Sequence, residues 1–365
     1  MKILIVTKSF VKEVSSLVRY AARIDQRLRF LLVMPYHSEE SLPASVSVRK
    51  LYFSQHMRAA CYSPFLMVDI KTFRPDILHV FEEFSSLIAL QALILRNLFC
   101  RQSKTMVYSA ENIPGNVRSV LRFPMKYVMR HSDMAFVCGQ GVRRVLETEG
   151  YTKPIEVFPL GVDVSKFRKF SCGQLKRELA LDGKFVIGYV GRLLEIKGVF
   201  LLIELMRFLP ENVHLLMVGT GPERNNLKAV ASEYHLEHRV HLIGNISYEQ
   251  LPQYINCMDV GVVPSRTTKR WKEQFGRVIV EFMSCEVPVI GSDSGSIPEV
   301  FGDAGCVFRE NNLQDLIDNV KTLMEHPKKR RKLGKAGREK AITLYSTDIM
   351  CKRFLAMYET LVSYG

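Results

Sequence analysis

Short, mostly aliphatic runs recur along almost the whole chain, each separated from the next by a longer amphipathic stretch. In the first half they lie at 3–6, 30–33, 77–80, 105–109 and 134–137, and in the second at 185–190, 214–218, 240–243, 260–263, 287–290 and 306–308. Strands this apolar need cover on both faces, and the stretches between them supply it as helices. The pattern predicts parallel sheets wrapped on both sides, a doubly wound α/β architecture. The rhythm breaks once, over 158–173 (FPLGVDVSKFRKFSCG), where Pro159, Gly161 and Gly173 interrupt any regular element. A boundary there gives a domain of residues 1–165 and a second of 166–345. Residues 346–365 read as a last helix packing back on the first domain. Ser346, Thr347 or Asp348 is its cap, and Met350, Phe354, Met357 and Leu361 are its apolar stripe.

A chain of 365 residues has room for two such domains. No apolar run approaches the ~18 residues of a membrane-crossing helix, and the opening MKILIVTKSF reads as a first strand, not a signal peptide. The eight cysteines form no CxxC pair and read as reduced thiols of a cytoplasmic protein. A formal charge of +14 points to anionic partners: nucleic acid, lipid headgroups or phosphorylated small molecules. Zinc-finger spacing, aromatic RNA-reading motifs and Gly/Arg tracts are all missing, so nucleic acid is not expected. The densest basic run, KKRRK at 328–332, reads as a solvated helix face.

Ligands of doubly wound sheets gather outside the carboxyl ends of the strands. After 185–190 comes GRLLEIKG, in which Gly191 lets the chain turn while Arg192 and Lys197 flank the start of a helix. The free amides there carry about half a positive charge. Together they make either a diphosphate clamp or an ordinary turn with exposed cations. After 214–218 comes GTGPER, where Gly219 and Gly221 suit a tight turn and Pro222 a first helical position. Ligand contact and plain turn chemistry fit it equally. The third glycine of the dinucleotide fingerprint is missing.

After 260–263 a long polar loop holds the only tryptophan, Trp271, and then Glu273, Phe275 and Gly276. A helix beginning near Gly276 would turn the amides of Arg277 and Val278 toward a phosphate, with Glu281 about one and a half turns in. Carboxylates repel phosphate but accept hydrogen bonds from sugar hydroxyls. Two glutamates beside such a helix start therefore suggest a nucleotide sugar, against the plainer reading of a surface loop and a buried helix. His235, His238 and His241 recur every third residue, but a helix end followed by a strand would splay them. With no Asp-x-Asp pair and no HExxH, neither a metal nor a cofactor is expected.

These residues resemble the donor domain of a GT-B glycosyltransferase of family 4. The resembling stretches are GYVGRLLEIKGV, LLMVGTGPER, the linker VFPLGVDVSKF, and VPSRTTKRWKEQFGRVIVEFMSCEVPVIGSDSGSIPEV with its Glu-x7-Glu pair, Glu273 and Glu281. The resemblance implies two Rossmann-like, doubly wound domains facing across a cleft, and transfer of a hexosyl unit with retained configuration and no metal. It implies that Glu281 bonds the ribose and Glu273 a hydroxyl of the donor sugar. Phe275, Gly276 and the amides of Arg277 and Val278 would line the sugar and distal phosphate, Arg192 and Lys197 would neutralise the diphosphate, and the loop 244–246, with Ile246, would hold the base. The chain departs from the family pattern at Ile196, Phe282, Glu286 and Val287, and the loop TKSFVKEVSS after the first strand has no glycine. Where members carry an active-site histidine this chain reads VYSAENIPGN, which makes Glu111 the candidate. His79 reads as a core histidine.

Residues 1–165 hold 22 Lys and Arg against 14 Asp and Glu, and the most patterned part is Arg118, Arg122, Lys126 and Arg130 among Val117, Leu121, Met125 and Met129. Four cations on one stripe fit an anionic membrane surface or a lipid-diphosphate acceptor, or simply a solvated face. Pro124 is expected to start or kink that helix. The leading expectation is a glycosyltransferase in the cytoplasm or at the inner membrane face. It would take a nucleotide-sugar donor and a glycan or lipid-linked acceptor, for a cell-surface polysaccharide or glycolipid. An epimerase, a phosphorylase, or a nonenzymatic nucleotide-sugar-binding partner of an active subunit are the competing readings.

Overall fold

The computed structural model describes residues 1–8, 12–34, 42–50, 65–158 and 160–363. Residues 9–11 of the glycine-free loop, Cys61 and Pro159 lie outside them. The chain divides into two compact units, Met1–Gly161 with Thr347–Gly365, and Val162–Ser346.

The first unit runs β1 (Lys2–Val6), α1 (Lys12–Ile24), β2 (Arg29–Met34), β3 (Val46–Lys50), α2 (Phe65–Phe73), β4 (Ile77–Val80), α3 (Leu87–Phe99), β5 (Lys104–Ser109), α4 (Ser119–His131), β6 (Met134–Val137), α5 (Gln140–Thr148) and β7 (Ile155–Val157). Its seven strands are all parallel, in the order β3-β2-β1-β4-β5-β6-β7. The five central strands match the aliphatic runs of the sequence. The two edge strands do not announce themselves. Among the described residues each pairs on one side only, β3 (VSVRK) is largely uncovered, and β7 is three residues long.

The second unit runs α6 (Gly173–Glu178), β8 (Phe185–Val190), α7 (Val199–Met206), β9 (Val213–Val218), α8 (Arg224–Glu233), β10 (Val240–Gly244), α9 (Leu251–Asn256), β11 (Val260–Val263), α10 (Arg277–Ser284), β12 (Val289–Ser292), α11 (Ile297–Phe301), β13 (Gly305–Phe308), α12 (Leu313–Glu325) and α13 (Pro327–Tyr345). Six parallel strands follow the order β10-β9-β8-β11-β12-β13 around a core of Ile187, Leu202, Leu215, Val260, Val262 and Ile290. The strand expected at 287–290 begins two residues later. The Val287 amide is spent on the Phe282 carbonyl (3.0 Å) to close the turn after α10, and Pro288 has no amide to give.

The last helix, α14 (Thr347–Ser363), belongs to the first unit, where it packs on α1, β4 and β5. Its buried face is Met350, Cys351, Phe354, Met357, Tyr358 and Leu361, a stripe spaced by three and four residues. Tyr358 ties it to the sheet, its hydroxyl 2.6 Å from His79 Nδ1. His79 is fully buried among Phe81, Phe136 and Phe354, and burial pushes its pKa down to about 3, so it is a neutral core residue.

In each sheet the strand order reverses once, between β1 and β4 and between β8 and β11. Helices leave opposite faces at such a point, and a crevice opens outside the carboxyl ends of the two strands. Both crevices are therefore places to look for chemistry.

Candidate active site

The β8/β11 reversal brings together the loop 191–198 and the loop 264–276. Gly198 makes their contact possible. It has φ +71°, and a Cβ there would sit 1.9 Å from the Pro264 carbonyl oxygen. The Arg266 amide adds a bond to the Ile196 carbonyl (2.8 Å). Behind them Gly191 and Gly219 join neighbouring loops through main-chain bonds to Val218 and Gly244, at 3.0 and 2.8 Å. The long loop is held from the other side by Gly295 (φ +56°), where a Cβ would fall 2.0 Å from the Glu273 carbonyl oxygen. The Ser296 amide donates to that same oxygen at 3.1 Å.

Lys197 and Glu273 meet in this frame. The Lys197 ammonium lies 2.7 Å from Glu273 Oε2, which also accepts the Ser265 hydroxyl at 2.7 Å. The same ammonium stands 4.4 Å from the centroid of the Trp271 ring, close enough for a cation–π contact. Ser265 is itself fixed, its carbonyl accepting the Ser292 hydroxyl at 2.6 Å. The Glu273 side chain is only 10% exposed and that of Lys197 24%. A carboxylate this buried would be costly alone, and the ammonium offsets its charge. The sequence suggested separate tasks, cations for phosphates and carboxylates for hydroxyls. In the structure one of each forms an ion pair.

Beside the pair, α10 starts at Arg277 with Gly276 as its N-cap, and no side chain caps it. As a glycine, the N-cap offers no side-chain oxygen of its own to the first amides of the helix, those of Arg277 and Val278. Glu281 lies one turn in and is buried. Phe275 is buried, with its ring 5.9 Å from that of Tyr345. Arg192 is exposed, and its carbonyl accepts the Tyr189 hydroxyl at 2.7 Å. Only Lys197 flanks the helix start, since α7 begins at Val199 after a short 3-10 turn, Glu195–Lys197. Gly221 and Pro222 lie in the turn ahead of α8, which begins at Arg224, not at the proline. Ile246 follows β10, half-buried.

Arg224 closes the GTGPER stretch. One guanidinium nitrogen donates to the Leu242 carbonyl at 2.9 Å. Its Nη1 is buried without a partner among the described residues, 3.7 Å from where a Cβ on Gly244 would be. An unmet guanidinium N–H beside the loop 244–246 could not have been found from sequence. It needs the parallel pairing of β9 and β10 to exist.

Glu111, in the first unit, is occupied by its own loop: its carboxylate accepts the Ile113 amide and the Asn116 side-chain amide, both at 3.1 Å. Nearby Glu83 accepts the Ser109 hydroxyl and the Ala110 amide, each at 2.7 Å, and burial raises its pKa to about 7. Nothing in the sequence distinguished Glu83 from Glu82 beside it. Arg118, at the N-cap of α4, and Arg122, Lys126 and Arg130 within it are all exposed. Val120 and Phe123 are about three-quarters exposed beside them, whereas Met125 and Met129 are buried. Pro124 lies inside the helix. Of the spaced histidines, His241 pairs with His214 (3.0 Å) and His238 with Glu211 (3.1 Å), each on a separate element.

Residues 174–340, which contain this whole site, match the model of glycosyl transferases group 1. The chain carries a glycosyl transferases group 1 domain. The group 1 domain's curated relatives include the sulfoquinovosyl transferase SQD2 of Arabidopsis thaliana. That protein is 26% identical over 306 residues, 79% of this chain and 57% of its own length. Another is the capsular polysaccharide biosynthesis glycosyltransferase CapM of Staphylococcus aureus, 26% identical over 263 residues, 68% of this chain and 67% of that protein. The matches thus span from just over half to about two thirds of these relatives. Among solved structures, HepE of Anabaena in complex with UDP superposes with a TM-score of 0.80 at 18% identity, over 99% of this chain and 100% of that one. The fold of the two units is GT-B, as expected from the sequence. Among the described residues no group of three His, Cys, Asp or Glu is arranged to hold a metal ion, and no helix is long and apolar enough to cross a membrane.

Proposed function

We propose that the chain is a retaining glycosyltransferase that moves a hexosyl unit from a nucleotide-diphosphate sugar to a glycan or lipid-linked acceptor, in synthesis of a cell-surface polysaccharide or glycolipid. The observation that carries this reading is the Lys197–Glu273–Ser265 cluster at the β8/β11 reversal, beside the start of α10 at its glycine N-cap. It is supported by the relatives named above and by the UDP bound in HepE.

In this reading the diphosphate lies against the amides of Arg277 and Val278, with Arg192 and Lys197 as its counter-charges. Glu273 then turns to a hydroxyl of the sugar, and Glu281 serves the ribose. Arg224 meets the donor near Gly244 and Ile246, through the N–H that has no partner among the described residues. As the bond from sugar C1 to the diphosphate breaks, charge grows on the departing oxygen, and fixed cations and amides stabilise it most where water is excluded. The acceptor hydroxyl bonds C1 on the same face and its proton passes to the diphosphate. This keeps the configuration and asks for no metal.

The test is release of nucleoside diphosphate from candidate donors, after a thermal-shift panel of nucleotide sugars has identified the one that raises Tm. Glu273→Ala should abolish release, and full activity in that variant would refute its role. A nonenzymatic partner would bind the donor without releasing anything. The reading extends to the inner face of the cell membrane, held by Arg118, Arg122, Lys126 and Arg130 with Val120 and Phe123 beside them. Exchanging the four cations for Gln should weaken sedimentation with anionic vesicles, and unchanged sedimentation would sink the membrane contact.

A further inference from the structure

At the opposite edge of the second sheet, the residues leading into β11 and β12 border a cavity of about 280 Å³. Met258, Val287 and Pro288 form part of its wall, and five cations stand around it: Lys169, Lys176, Arg330, Arg331 and Lys335. Two carboxylates share the lining, and both have partners. Glu286 is 3.3 Å from Lys169, while Asp259 accepts the Val186 amide at 2.9 Å and lies 3.7 Å from Arg330. Arg330 is further held by the Leu323 carbonyl at 2.8 Å. That leaves Lys176, Arg331 and Lys335 around the cavity with no carboxylate paired to them among the described residues.

The backbone under these cations is fixed. Gly334 is buried in α13, and a Cβ there would sit 2.2 Å from the Glu286 carbonyl oxygen, so the helix presses directly on the cavity wall. Glu286 itself has φ +57°, a costly conformation for a residue with a side chain. The opposite wall, at Phe170, is pinned by its amide on Asn256 Oδ1 at 3.0 Å. The run 328–332 is therefore not a uniform solvated face. Arg330 and Arg331 line the cavity with Lys335, while Lys328, Lys329 and Lys332 do not.

We propose that this cavity is a second anion site, distinct from the loops at the β8/β11 reversal, and that it takes a compact phosphorylated group carrying about three negative charges. Two ammonium groups and one guanidinium suit phosphate oxygens, the guanidinium by paired bonds and the lysines as point charges. A free polyphosphate-like metabolite and a polyphosphorylated lipid headgroup share this chemistry.

The experiment is isothermal titration of the full chain with inorganic pyrophosphate, in a Lys197→Ala/Arg192→Ala background that weakens the other candidate site. The double variant should still bind, more weakly as salt rises. Adding Lys176→Gln, Arg331→Gln and Lys335→Gln should weaken binding roughly tenfold or more. Should that variant not fold, Lys335→Gln alone, at an exposed position, should still weaken it about threefold. Undiminished binding in either, or none in the double variant, would overturn the proposal. Sedimentation with phosphatidylinositol bisphosphate vesicles then separates the sources. Vesicle binding lost with the three cations marks a headgroup, and vesicle binding absent from the start beside intact titration marks a soluble anion.

Discussion

The two sheets reverse their strand order in the same way, and each reversal carries a lysine–glutamate pair, yet the two are built differently. At β8/β11 the pair is Lys197–Glu273, 2.7 Å apart and largely buried on both sides, within loops whose backbones touch at Gly198 and Gly295. At β1/β4 it is Lys8–Glu82, 3.2 Å apart, with Glu82 buried at 2% but Lys8 exposed at 57%. There the Lys8 amide also donates to Glu82, at 2.6 Å, so one acid serves the start of one loop by main chain and side chain together. The first arrangement presents two charges in a frame close enough to grip a ligand. The second holds a loop. One topology supplies both crevices, but among the described residues only the second joins close-packed glycine turns to a largely buried cation, which makes it the candidate for a diphosphate.

That contrast gives the largest expected effect. Lys197→Ala should lower the rate of diphosphate release by about 10²- to 10³-fold, the scale on which a single fixed charge at a developing anion acts. Lys8→Ala should leave the rate within about threefold. Equal losses in the two variants would mean that both reversals hold the donor. Between them falls Arg224→Ala, expected to weaken binding of the nucleoside diphosphate by roughly tenfold, since it removes a single guanidinium contact. Titration of the diphosphate against each variant reads this directly.

The contrast was only partly legible in the sequence. Central strands show as aliphatic runs because both their faces are covered, and the α14 stripe shows because a helix buries every third or fourth residue. The edge strands β3 and β7 carry no such pattern, having one neighbour each among the described residues. Glu273 was conspicuous as a carboxylate before an apolar helix. Its partners Lys197 and Ser265 are 76 and 8 residues away, and only the folded loops bring all three together. Glu111 shows the converse. The sequence makes it a catalytic candidate, and in the fold its oxygens accept bonds within its own turn, which no spacing rule reveals.

Stability offers a second, smaller separation of the two pairs. In a double-mutant cycle of Lys197 and Glu273 the coupling should reach about 2 kcal/mol, because removing either partner strands a charge that water barely reaches. For Lys8 and Glu82 it should be about 0.5 kcal/mol, since solvent screens the exposed ammonium. Trp271 fluorescence follows the second unit, and hydrogen exchange at the β4 and β5 amides follows the first. A larger coupling at Lys8–Glu82 would reverse the ranking.

The smallest effect concerns pH and belongs to the first unit alone. Burial raises the folded-state pKa of Glu83 to about 7, above its usual value near 4.5. A carboxyl held protonated by folding contributes stability that is fully present below about pH 4.5 and is lost as pH rises through 7. His79 works the other way. Its folded pKa of about 3 makes stability fall as pH drops below the ordinary histidine value near 6.5. The two overlap between pH 4.5 and 6.5, so the wild-type profile alone would not resolve them. Glu83→Gln does, because it keeps a carbonyl for the Ala110 amide and a donor for the Ser109 oxygen while removing the titration. His79 is common to both chains and cancels in their difference. The advantage of wild type over Glu83→Gln, read from exchange at the β5 amides, should therefore shrink steadily from pH 4.5 to 7 and stay flat above. Over the same range Trp271 fluorescence should report no difference between the two chains. A difference independent of pH would show that Glu83 is already ionised in its loop. The first crevice would then carry a standing negative charge at Glu83, which would repel an anionic donor phosphate there.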